Sequence, residues 1–164
     1  MNRDYAFKKE DEDYILLKDF NKVLKLSDLG QTPKYSTSDA SGTSLNRYIN
    51  IELKRRNQTL TKDFKISGET YTADTVYLES HKAGDLLLDY VCEDKIPLYI
   101  NFLNDGYVLL FNLSKLKHRP KKVCKKIYSK LYQGFELAKR EELLVSDAWI
   151  YKRINNEYKL IHKP

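Results

Sequence analysis

Apolar positions along this chain fall into two rhythms, and the rhythms alternate. Residues 10–25 place Leu16, Leu17, Phe20, Val23 and Leu24 at helical spacing, which predicts a helix with one face turned inward. The acidic run Glu10-Asp11-Glu12-Asp13 stands at its start, where the helix dipole favours negative charge. Gly30 and Pro33 end the element. Residues 34–39 alternate loosely and read as a strand, Ala40-Ser41-Gly42-Thr43-Ser44 as a turn, and Tyr48-Ile49-Asn50-Ile51-Glu52-Leu53-Lys54 as a clear strand. The polar connection between those strands is short, so an antiparallel hairpin is expected. Residues 55–72 are polar and read as a loop or irregular excursion.

Thr75–Glu79 reads as a third strand, and Ser80 as the cap of a helix whose apolar face is Ala83, Leu86, Leu87, Tyr90 and Val91. Pro97 opens a fourth strand through Leu103. Asn104-Asp105-Gly106 is a turn signal, and Tyr107–Leu113 follows as a hairpin partner. Residues 120–135 show Cys124, Ile127, Tyr128, Leu131 and Phe135 at helical spacing, so a lysine-rich helix is expected there. A short strand over 148–154 closes the chain. The sum is an α+β fold with a mixed sheet. The strand–helix–strand stretch from Thr75 to Leu103 is expected to form a parallel crossover.

Composition narrows the class. A chain of 164 residues suits one domain spanning 1–164, and 41% hydrophobic with 32% charged residues argues against wholesale disorder. No apolar run approaches the roughly 18 residues of a bilayer span, and the charged start has no secretion-type apolar region. No membrane partner is expected. Cys92 and Cys124 lack zinc spacing and read as buried free thiols in a reducing cytoplasm, that of a bacterial or phage-infected cell.

The net charge of +6 is uneven. From Gly106 to Phe135 there is no acidic residue but eight basic ones: Lys115, Lys117, Arg119, Lys121, Lys122, Lys125, Lys126 and Lys130. The remainder holds 21 basic and 23 acidic residues, so all the positive excess lies in one segment, placed in a helical addition over about 114–135. A local basic strip points to a polyanion. A solvated helix face is the plainer alternative.

Glu52 and Lys54 flank Leu53 on a strand, so both project to one face and Leu53 to the other. Their side-chain roots stand within ~7 Å. Asp39 lies 13 residues before Glu52, and a hairpin brings the two side by side. Two carboxylates offer hard oxygen ligands for Mg²⁺ or Mn²⁺, and the Leu53 carbonyl can add another. Such a metal lowers the pKa of bound water and stabilises phosphate charge. The Lys54 ammonium can orient the attacking water or neutralise the phosphorane.

E-x-K alone is common and carries little. With the upstream Asp39, the apolar-E-apolar-K string Ile51-Glu52-Leu53-Lys54 and the helix-strand-strand-strand-helix-strand order, residues 8–113 resemble the PD-(D/E)XK nuclease superfamily. The resemblance implies a restriction-endonuclease-like mixed sheet flanked by helices and Mg²⁺-dependent hydrolysis of DNA, more as endonuclease than exonuclease, leaving a 5′-phosphate. It implies Asp39 and Glu52 as metal ligands and Lys54 as the catalytic lysine. The chain departs from the family in the polar Ser38-Asp39-Ala40-Ser41-Gly42, and Asp63 and Asp74 are the substitutes for Asp39. Members also carry a first-helix glutamate that reaches the metal. Glu12 or Asp13 fits that position, with dipole capping the alternative.

The basic residues then read as DNA-backbone contacts: Arg55 and Arg56 after the motif, Lys82 at a helix start, and Lys117, Arg119, Lys121, Lys122, Lys125 and Lys126 in the strip. A solvated Lys82 is the alternative, and the three histidines lack a nucleophile partner. Some of the 13 tyrosines can stack on bases, although half-buried sheet tyrosines are the common case. Many such nucleases cut as homodimers, but no dimer surface can be read here. The other reading is a catalytically silent nuclease-fold protein, such as a phage inhibitor or accessory factor, that grips nucleic acid or a partner protein.

Overall fold

The computed structural model describes residues 3–33, 36–66, 68–129 and 133–164. Helix α1 spans Arg3–Leu24, β1 Ser27–Gln31, β2 Ala40–Ser44, β3 Arg47–Arg56, and β4 and β5 Phe64–Ile66 and Glu69–Tyr71. Then come β6 Thr75–Glu79, α2 Ser80–Glu93, β7 Ile96–Leu103 and β8 Tyr107–Asn112. The chain ends with β9 Lys121–Ser129, β10 Gly134–Leu144, β11 Trp149–Ile154 and β12 Glu157–His162. The main sheet has seven strands in the order β1-β2-β3-β7-β8-β11-β12. Among the described residues only β3 and β7 pair in parallel, so the sheet is mixed. The α+β class and the mixed sheet flanked by helices are as the sequence leads one to expect.

The core lies in two layers on the two faces of this sheet. On one face α1 sets Leu17 and Phe20 against Ile51, Leu53, Ile100 and Phe102. On the other, Ala83 and Leu86 of α2 join Val76, Tyr99, Leu109 and Phe111. β3 supplies its odd residues, Ile49, Ile51 and Leu53, to the α1 side, as period two requires. Its even residues face α2 and β6.

Several expectations are corrected. The first strand of the hairpin is β2, beginning at Ala40. Ser36–Asp39 bend instead of pairing, and Lys34 and Tyr35 lie outside the described residues. The turn is Leu45-Asn46, with φ of 48° and 64°, the left-handed pair that a two-residue hairpin needs. The small residues of β2 have another cause. A Cβ on Gly42 would stand 3.2 Å from both Leu26 Cβ and Ser27 O, so β1 can lie close only against a small strand.

The parallel partner of β7 is β3, not β6. β6 instead pairs with β10 in a separate three-stranded sheet of order β6-β10-β9. In α2 the N-cap falls on Glu79 without a side-chain cap bond, so Ser80 is the first helical residue. The inward face of α2 keeps Ala83 and Leu86, while Val91 is 79% exposed.

The expected helix over 114–135 is the largest correction. Residues 113–115 form a single 3₁₀ turn, and the basic strip is β9, paired antiparallel with β10. Lysines four apart, Lys121 with Lys125 and Lys122 with Lys126, repel on a helix surface. As a strand the segment gains opposed glutamates instead, Lys121 facing Glu142 and Lys122 facing Glu141. Both cysteines are exposed rather than buried. Among the described residues no helix is long and apolar enough to cross a membrane.

Candidate active site

The site is a notch in the main sheet. β2 starts at Ala40, which pairs with Ile51, but β3 continues to Arg56. Beyond Ile51, among the described residues, the edge of β3 has no strand beside it. Asp39, the residue just before β2, fills the first open position. Its backbone N–H donates to Ile51 O at 2.9 Å, and its carboxylate Oδ2 accepts from Leu53 N at 2.7 Å. A side chain therefore replaces the missing strand carbonyl. The Leu53 carbonyl faces the same open edge, since a strand residue turns its N–H and C=O to one side.

Because the edge is open, both helices reach it. A cavity of about 580 Å³ is lined by Asp13 of α1, by Asp39, Glu52 and Lys54, and by Glu79 and Lys82 at the start of α2. Glu52 is 3% exposed. Burial and the charge of Asp39 push its carboxyl up from 4.5 to about 7, against the opposing pull of Lys82 and Lys54. A cation beside such a carboxyl favours its ionised form.

The even residues of β3 form a polar row against α2 and β6. Asn50 Nδ2 donates to Asp89 Oδ2 at 2.7 Å, and Lys82 Nζ donates to Glu52 Oε2 at 3.1 Å. Lys54 Nζ stands 3.6 Å from Glu79 Oε1. Burial raises the Glu79 pKa, but Lys54, Arg140, His81 and Lys82 outweigh it and hold the carboxyl below its usual value. Lys82 is raised for the converse reason: burial disfavours its charge, yet Glu52 and Asp39 favour it more.

Asp39, Glu52 and Lys54 thus meet at one notch, as their spacing suggests. Lys82 is no solvated helix-start lysine, for it is the ion-pair partner of Glu52. Arg56 directs its guanidinium to groups within the fold. Its guanidinium donates to Asn101 Oδ1 at 2.8 Å, to Tyr99 OH at 2.6 Å and to the Tyr77 carbonyl. Arg55 faces α1 and pairs with Glu12 at 2.8 Å and Asp13 at 3.3 Å. Lys117 and Arg119 are exposed on either side of His118, which is pinned to buried Asp147 by its N–H at 3.0 Å and Nδ1 at 2.8 Å. Lys121, Lys122, Lys125 and Lys126 lie on β9, and Lys130 lies outside the described residues.

Helix α1 starts at Arg3, so Glu12 and Asp13 are mid-helix and do not cap its dipole. Asp13 is the one that lines the cavity. It is 8% exposed, and its Oδ1 lacks a hydrogen bond of good geometry. Burial raises its pKa against the pull of Arg55, Lys9 and Lys54. The two substitute aspartates stay elsewhere: Asp63 Oδ1 accepts from Ala73 N at 2.8 Å, and neither Asp63 nor Asp74 lines the cavity. Glu79 and the Lys82–Glu52 pair were missed by sequence reasoning, since only the fold of β6 and α2 over β3 brings them in.

Among the described residues no three His, Cys, Asp or Glu side chains gather as a ready metal cage. The donors do fit a divalent ion that keeps most of its waters, since Mg²⁺ commonly takes only one or two carboxylates from protein. One observation favours such an ion: Asp39 and the buried Glu52 line the same cavity at the open edge of β3, while Asp13 Oδ1 is already engaged by Arg55 Nε at 3.3 Å.

No protein-family model matches the chain, and no curated protein does. Among solved structures it is similar to Hjc, a Holliday junction resolvase from the archaeal hyperthermophile Archaeoglobus fulgidus. Identity is 11% and the TM-score 0.49, over 81% of this chain and 84% of that one. An overlap this loose carries no residue role from one chain to the other.

Proposed function

We propose that the notch hydrolyses DNA phosphodiester bonds with the help of a divalent metal, as a nuclease of the PD-(D/E)XK type. The observation that carries this reading is the meeting of Asp39 and Glu52 at the unpaired edge of β3, with Lys54 on the same face as Glu52. Asp39, Glu52 and the Leu53 carbonyl would hold Mg²⁺ or Mn²⁺, with Asp13 on the wall of the same cavity. The bound ion would acidify a water and offset charge on the phosphate.

The chain's own groups do the rest. Glu52 must lose its proton to serve as a ligand, and Lys82 favours that ionised form. Lys54, held near Glu79, has its ammonium at the cavity wall, where it can orient the water or meet the developing negative charge. Glu79 aims the Lys54 ammonium through the ion pair at 3.6 Å. A second reading has one observation in its favour. The Lys82 ammonium already neutralises Glu52, as a silent nuclease-fold binder would tolerate.

Calorimetric Mg²⁺ or Mn²⁺ titration combined with plasmid nicking separates the two. Wild type should bind the ion and nick. Glu52→Ala and Asp39→Ala should lose both, while Lys54→Ala should keep ion binding and lose at least about a hundredfold in rate. Full nicking by Glu52→Ala or Lys54→Ala sinks the nuclease assignment.

A further inference from the structure

β9 and β10 continue well past the sheet that anchors them. β10 pairs with β6 only from Arg140 to Leu144, while its first half pairs with β9 alone, from Gly134 opposite Ser129 to Lys139 opposite Cys124. The last β6 pair joins Arg140 to Glu79, and Glu79 lines the cavity. A two-stranded ribbon therefore leaves the body at the rim of the notch. From Val123 to Ser129 it runs six residue steps, about 20 Å at ~3.3 Å each.

Residues opposite each other across the ladder share a face. One face carries Lys122, Cys124, Lys126 and Tyr128 from β9 and Phe135, Leu137, Lys139 and Glu141 from β10. Apart from Glu141 at its base, every one of these side chains is exposed. Tyr128 and Phe135 meet edge to face at 5.5 Å, and Lys126 Nζ lies 4.7 Å from the Phe135 ring. The other face carries Lys121 and Lys125, the second 5.3 Å from the Tyr77 ring. An exposed ribbon that sets aromatic rings between lysines, with lysines on both faces, is unsuited to solvent alone and complementary to a polyanion with a groove.

We propose that this ribbon lies in the major groove of duplex DNA beside the notch, with lysines against the phosphate walls and Tyr128 and Phe135 against base edges. The major groove admits a two-stranded ribbon. The inference rests on the DNA reading of the notch and adds to it the duplex form of the substrate and the means of grip. At ~3.4 Å per base pair, the ribbon covers about six base pairs on one side of the cut.

The full chain is tested without divalent metal, by fluorescence anisotropy on a long duplex, on a single strand and on a duplex of about six base pairs. The Lys122→Ala/Lys126→Ala/Lys139→Ala variant should bind the long duplex more weakly, with a log-log salt slope shallower by about 2–3. Tyr128→Ala/Phe135→Ala should bind about tenfold more weakly with the slope unchanged. The two variants change exposed side chains in different ways, so matching melting curves establish that both are folded. Wild-type affinity and slope in both variants, the result if the ribbon serves an acidic protein surface, overturn the inference, as does a loss confined to single strands. Nicking in Mg²⁺ is read on the same samples. Nicking with no ribbon effect on binding removes this inference alone, whereas ribbon-dependent duplex binding without nicking upholds it and removes the nuclease reading.

Discussion

The ammonium of Lys82 donates to the Glu52 carboxylate at 3.1 Å, reaching from the first turn of α2 to the centre of β3. Glu52 is nearly sealed from solvent and Lys82 only partly so, with side-chain exposures of 4% and 22%. The pair sits where a divalent cation is proposed to bind, so its energetics govern both stability and metal affinity.

Glu52 has a raised folded pKa, about 7 against 4.5. Its contribution to stability is fully present below pH ~4.5 and is lost as pH rises through ~7, a swing of about 3 kcal/mol. Metal-free protein should therefore lose urea resistance over that window, beyond the change in Glu52→Gln, whose neutral side chain does not titrate. Added Mg²⁺ should bind more tightly as pH rises through ~7 and offset the loss. Parallel stability–pH curves for wild type and Glu52→Gln speak against a raised Glu52.

Lys82→Ala removes the cation nearest an ionised, buried carboxylate. At pH ~8 it should cost about 2 kcal/mol in urea unfolding, and at pH ~5, where Glu52 carries a proton, much less. A cost that does not vary with pH would mean that Lys82 acts through packing of its alkyl chain.

Arg56→Ala should cost about 3 kcal/mol, because it leaves the buried Asn101 Oδ1 without its donor, takes one of two donors from the Tyr77 carbonyl and removes a partner of Tyr99. Arg56→Lys should recover little, as one ammonium cannot span three separated partners. If Arg56→Ala unfolds like wild type but loses DNA affinity, Arg56 is a phosphate contact after all.

Asp13→Asn should weaken Mn²⁺ binding about tenfold, as loss of a group outside the direct ligands commonly does. Glu12→Gln, which also removes a partner of Arg55 but does not line the cavity, should leave it unchanged. Equal effects from both variants would point to general surface charge.

The facing of β3 was legible because period two needs only the strand itself: Ile49, Ile51 and Leu53 inward on one side, Glu52 and Lys54 on the other. The hairpin brings Asp39 to the cavity that Glu52 and Lys54 line, even though its strand and turn were exchanged. That exchange arose because Ala40-Ser41-Gly42-Thr43-Ser44 has turn composition but is small in order to admit β1. The lysine segment was misread because Cys124, Ile127, Tyr128, Leu131 and Phe135 fit a helical period, while the glutamates that favour a strand lie on β10, beyond any local window. Lys82 and Glu79 were invisible as partners for the same reason: their contacts with Glu52 and Lys54 span 30 and 25 residues of chain.

The alternation of β3 also sets what lengths of chain the protein can tolerate. Adding or removing one residue between the Leu45-Asn46 turn and Glu52 would rotate every later side chain of β3 to the opposite face. Glu52 and Lys54 would be driven under α1, and Ile51 and Leu53 would emerge in the notch. The fold and the proposed site share a single reading frame there, so such an indel forfeits both at once. The same change in the polar stretch 57–63 leaves that frame intact, and variation in length should collect in that stretch.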